Sequence, residues 1–145
     1  MIHLVKEKAY GFRFLQSIVI LDGDVKIPQC NKYKNILLLP GGNSPEKIIA
    51  QFLWDTSDDS PIWDKIQPGY SKQIAFKDFK LKDILNNFEE SKSRETAKKW
   101  FNSQSEYWGR GCARVITPWI KQNQSIIDDF VDNLKLLLNK YKTNI

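Results

Sequence analysis

The sequence predicts an α/β fold, a partial parallel sheet followed by a mostly helical C-terminal region. Three observations predict it. Phe14–Leu21 and Asn35–Leu39 are short, nearly uncharged runs, each closed by a turn sequence: Asp22-Gly23-Asp24 and Pro40-Gly41-Gly42. A helix with a clear start follows at Ser44-Pro45-Glu46. Ile126–Tyr141 then carries one apolar stripe at helical spacing.

Each element has its own signal. Phe-Leu-Gln-Ser-Ile-Val-Ile-Leu over 14–21 reads as a strand buried on both faces. Asn35-Ile-Leu-Leu-Leu39 has the same character. Ser44 suits a helix N-cap, Pro45 the first helical position, and Glu46 the positive end of the helix dipole. Ile48, Ile49, Phe52 and Leu53 share one face of that helix.

After Trp54 the texture changes. Asp55 to Ser60 is an acidic polar loop, and Ser60-Pro61 opens a short helix or turn carrying Trp63. Residues 72–88 predict a short extended piece and then a helix, and Asn86 to Ser93 a connection. A helix is expected from about Arg94 to Gln104, with Ala97, Trp100 and Phe101 on one side. Gly109-Arg110-Gly111 breaks the chain, and Thr117-Pro118 opens a further helical turn. In the last helix Asp128, Asp129 and Asp132 lie toward the start, and Lys135, Lys140 and Lys142 toward the end, as its dipole favours. The expected organisation is an α/β part over 1–57 and a basic, aromatic helical part over 58–145, packed as one unit.

Composition narrows the chemistry. The 145 residues include 22 Lys+Arg, 17 Asp+Glu, one His and two Cys, for a formal charge of +5. The charge favours polyanionic partners. Cys30 and Cys112 cannot make a disulfide framework, and His3 alone supports neither a zinc site nor a histidine-based triad. Carboxylates must therefore carry any hydrolytic chemistry. No apolar run reaches membrane-spanning length, and charges interrupt the N-terminus at once, so no signal peptide is expected and the location expected is cytoplasmic.

The strongest chemical signal is Asp22-Gly23-Asp24 at the C-terminal end of a strand, the edge where open α/β sheets bind ligands. Two neighbouring carboxylates repel unless a cation lies between them, and Mg²⁺ (or Mn²⁺) is the hard, oxygen-preferring ion for that place. The structural alternative is a turn-capping Asp beside a solvated one. Glu46 is a further ligand if its loop folds beside the pair; the plainer reading is a dipole-matching acid. Lys47 is placed to meet a phosphate or to be a solvated helix residue. Lys92, Arg94, Lys98, Lys99, Arg110 and Arg114 alternate with Trp100, Phe101, Tyr107, Trp108 and Trp119, a pattern that tracks a phosphate backbone and stacks bases when exposed. Aromatics at that spacing also build a core.

The strand with Asp22-Gly23-Asp24, the strand ending Leu-Leu-Leu-Pro-Gly and the helix opening Pro-Glu-Lys-Ile-Ile resemble the second half of a Toprim domain. The resemblance is to the version in the OLD-family (overcoming lysogenization defect) ATPase-nucleases and related defence proteins, and covers roughly residues 14–54. It implies a Rossmann-like fold, Mg²⁺ held by Asp22 and Asp24, Glu46 as a later acid, and cleavage of nucleic acid, with DNA the expected partner. In that family a strand upstream carries a catalytic Glu. Only 21 residues precede Asp22, Glu7 stands at the wrong distance, and no P-loop is present. The chain therefore resembles the C-terminal piece of such a nuclease, expected to be inactive without a partner or the N-terminal ATPase/Toprim half.

Other classes share parts of the pattern. Nucleotide-sugar glycosyltransferases also place Asp-x-Asp after a strand to hold Mn²⁺ and a diphosphate. Haloacid-dehalogenase-type phosphatases continue with a Thr, where this chain has Val25 and Lys26. A non-catalytic basic module that binds nucleic acid or protein is the remaining alternative.

Overall fold

A computed structural model describes residues 18–27, 35–86 and 90–142. Phe14–Ser17, His3, Glu7, Cys30 and Phe88 lie outside the described residues.

Two compact units divide the chain. One comprises the described residues of Met1–Asn43 and Ser125–Ile145; the other is Ser44–Gln124.

The first unit contains the strands β1 (Val19–Leu21) and β2 (Ile36–Leu38), which pair in parallel with Val19 opposite Ile36 and Leu21 opposite Leu38. Val19 N donates to Asn35 O at 2.9 Å and Leu39 N to Leu21 O at 2.7 Å, extending the ladder at both ends. The expected burial of both strand faces does not hold. Side chains alternate along a strand, and while Val19 is buried, Ile20 is 46% exposed.

The second unit is helical. It holds α1 (Pro45–Asp55), α2 (Ile62–Ile66), α3 (Lys72–Ala75), α4 (Leu81–Leu85), α5 (Glu90–Trp108) and, after a 3₁₀ turn at Arg110–Cys112, α6 (Ala113–Gln122). Among the described residues the protein is mostly helical, with this one small parallel pair of strands.

Helix α1 is the hub and packs against α3, α4, α5 and α6. It buries Ile49, Ala50, Phe52 and Leu53, joined in the core by Trp63, Ile66, Tyr70, Ile84, Trp100, Trp108 and Val115. Each buried indole satisfies its N–H: Trp63 bonds Ser57 O and Trp100 bonds Ala75 O, both at 2.8 Å, and Trp108 bonds the Tyr70 hydroxyl at 3.2 Å.

Several boundaries differ from the sequence reading. Residues 72–85 form two short helices instead of an extended piece and a helix; the Ser71 hydroxyl accepts from Ile74 N at 3.4 Å and caps the first. The helix expected over 94–104 runs from Glu90 to Trp108, because burial of Ser93, Ala97, Trp100, Gln104 and Trp108 continues one face across it. Helix α6 starts at Ala113, so Pro118 lies inside it rather than at its opening. The reversal before it is made by Gly109, Gly111 and Cys112, all at positive φ.

The last helix, α7 (Gln124–Lys142), lies in the first unit apart from Gln124. Its apolar stripe is only partly covered: Ile126 is 45% and Leu138 45% exposed. No described helix is long and apolar enough to cross a membrane.

Candidate functional site

Because β1 and β2 run parallel, Asp22 and Pro40 leave the sheet at the same edge. Val25 N donates to Asp22 O at 3.2 Å, closing a four-residue turn with Asp22 first and Asp24 third. Asp22 is exposed; Asp24 is half buried, with Oδ1 shielded from solvent.

Gly23 is fixed by crowding. A Cβ there would come within 2.8 Å of Leu39 O and 2.9 Å of both Asn43 N and Asn43 O. These are backbone atoms, so no side-chain adjustment relieves the contact. The acidic turn thus rests directly on the loop after β2. That loop turns through Gly41 at φ 102° and Gly42 at φ 71°.

The remaining sequence-predicted residues belong to the helical unit. Glu46 is half buried in the first turn of α1, and Ser44 stands at the N-cap with extended φ/ψ but makes no capping bond through its side chain. Lys47 departs from expectation. It lies on the buried face of α1 with 3% of its surface accessible, and so presents no surface to a phosphate backbone.

Arg94, Lys98, Lys99, Arg110 and Arg114 are all exposed. Arg94 and Lys98 are neighbours on one face of α5. Lys99 pairs with Glu95 at 2.7 Å, and this hydrogen-bonded ammonium holds the Glu95 carboxyl below the usual carboxylate range. Arg110 stands between two glycines at positive φ. Arg114 leans on α2, donating through Nη1 to Ile66 O at 3.4 Å.

The interleaved aromatics do not form a stacking surface. Trp100 and Trp108 are fully buried and meet edge to face at 5.5 Å, while Phe101, Tyr107 and Trp119 pack half-buried against the same core. Their spacing in sequence records helix periodicity within a core.

Two cations outside the sequence reading, Lys65 and Lys121, line a cleft with Arg114. Arg114 and Lys121 stand seven residues apart in one helix, a spacing visible in the sequence. The position of Lys65 opposite them comes from the packing of α2 on α6.

Among the described residues no three His, Cys, Asp or Glu side chains gather as a metal cluster. No protein-family model, curated protein or solved structure matches the chain.

Proposed function

We propose that the chain is the metal-binding, nucleic-acid-contacting C-terminal portion of an OLD-like Toprim nuclease. In this reading it acts in the cytoplasm, on DNA, and with a glutamate contributed by another segment or a partner chain. The observation that carries it is the Asp22-Gly23-Asp24 turn at the C-terminal edge of a parallel strand pair, seated on the glycine loop after β2.

Paired carboxylates are residue types that suit a hard divalent ion. Mg²⁺ is commonly bound by one or two carboxylates and completes its shell with water and substrate phosphate. Asp22 and Asp24 supply that pair, one open to solvent and one half buried. When bound, such an ion polarises a phosphoryl oxygen and activates water. In this reading the two aspartates would hold the ion at the sheet edge, Gly23 keeps their turn against the loop, and Arg94, Lys98, Arg110 and Arg114, all exposed, would contact the phosphate backbone.

A second reading is favoured by a different observation. The exposed cations Arg94, Lys98, Arg110 and Arg114 also suit a non-catalytic module that binds polyanions.

Gel shifts with a DNA duplex, with Mg²⁺ and with EDTA, separate the two. The nuclease reading expects a divalent-ion dependence that Asp22→Asn and Asp24→Asn each remove, and Mg²⁺-dependent cleavage only when the complementing segment is added. Binding indifferent to EDTA and to both substitutions supports the non-catalytic module instead.

A further inference from the structure

The cleft between α2 and α6 has a volume of about 490 Å³, within the range of small-molecule sites. Its lining includes Lys65, Arg114 and Lys121 with Ile62, Ala113 and Pro118, and no Asp or Glu. Among the described residues none of the three cations forms an ion pair. Three exposed cations beside apolar side chains, with no acid in the lining, favour an anion.

The arrangement is ordered. Arg114 and Lys121 lie on the same side of α6, separated by about 10 Å along its axis. Arg114 donates through Nη1 to the Ile66 carbonyl at 3.4 Å. Lys65 lines the same cleft from α2. A guanidinium with two ammonium groups suits a multiply charged diphosphate, and Ile62, Ala113 and Pro118 offer an apolar wall to a heterocycle.

We propose that this cleft binds a nucleoside diphosphate, its phosphates on Lys65, Arg114 and Lys121 and its base against Ile62, Ala113 and Pro118. The lining lacks the aromatic ring that successive bases of a single strand would stack on. The proposal does not draw on the acidic turn; it shares only Arg114 with the nuclease reading, and its test rests on Lys65 and Lys121, which that reading does not use.

Calorimetric titration of the full chain with ADP, pyrophosphate and adenosine, at low salt, tests it. One-site ADP binding is expected, tighter than either half-ligand. Lys65→Glu and Lys121→Glu are each expected to weaken it by about tenfold or more, the loss of a charge-assisted contact. Both lysines are exposed, and Lys121→Gln serves if the charge reversal unfolds α6. Absence of ADP binding, affinity unchanged in the variants, or ADP no tighter than pyrophosphate overturns the proposal. So does a single-stranded oligothymidylate that binds more tightly than ADP with the same sensitivity to these variants.

Discussion

The hydroxyl of Tyr70 donates to the side-chain carbonyl of Gln104 at 2.9 Å, across 34 residues of sequence. The same oxygen accepts from Trp108 Nε1 at 3.2 Å. Tyr70 lies just after α2, while Gln104 and Trp108 lie in α5, so one buried oxygen ties the turn to the longest helix of this unit. Tyr70→Phe keeps the ring but leaves an indole N–H and an amide carbonyl unsatisfied. The expected cost is about 1–3 kcal/mol, read as a lower urea midpoint with unchanged slope.

Burial pushes the Tyr70 phenol well above its ordinary value, with the Trp108 hydrogen bond opposing and Tyr107 reinforcing the rise. A raised folded-state pKa means that the neutral phenol is favoured in the fold. Its contribution to stability is therefore full below the unfolded value of about 10 and declines as pH rises from there toward the folded value. Thermal unfolding between pH 9 and pH 12 should show the wild type losing more stability than Tyr70→Phe. Parallel curves would refute this.

Gly23→Ala places a methyl within 2.8 Å of a backbone carbonyl. We expect about 1–3 kcal/mol of destabilisation, as for overpacking elsewhere, measured by chemical denaturation. The acidic turn should shift with it, so Mg²⁺ affinity should fall in the same variant. Unchanged stability would show that the loop after β2 can move aside.

Trp100 is fully buried, stacks on Phe76 at 5.5 Å and donates to Ala75 O at 2.8 Å. Trp100→Ala should cost about 3–5 kcal/mol. Trp100→Phe should cost less but still leave the Ala75 carbonyl without that donor. Stability unchanged in both variants, with nucleic-acid binding lost, would return Trp100 to the role of a base-stacking residue.

Arg94→Glu and Lys98→Glu change exposed residues of α5. If this face holds a phosphate backbone, each variant should weaken DNA binding at a melting temperature close to the wild type. Each should also lower the salt slope by about one. Lys99→Glu should matter less than Lys98→Glu, because Lys99 is paired with Glu95.

Local patterns were legible in the sequence wherever local physics decides. Pro45 and Glu46 marked the start of α1 because proline geometry and the helix dipole act within one turn. The two strands were legible as apolar runs closed by turn residues, but the burial of both faces that suggested their parallel pairing is not what accompanies it. Within the candidate site, the identities of Asp22 and Asp24 and their place after β1 could be read from the chain. The packing of Gly23 on Leu39 and Asn43 could not, because a glycine gives no sign of what approaches it.

Tertiary structure decided the rest through burial. Lys47 and Trp108 look available in the sequence, yet each lies on an inward helix face, and only packing fixes which face turns inward. Lys65 joined Arg114 and Lys121 because α2 rests on α6, a contact between residues some 50 positions apart. Periodicity reports that a face exists; the neighbours that cover it are set by the free energy of the whole packed chain.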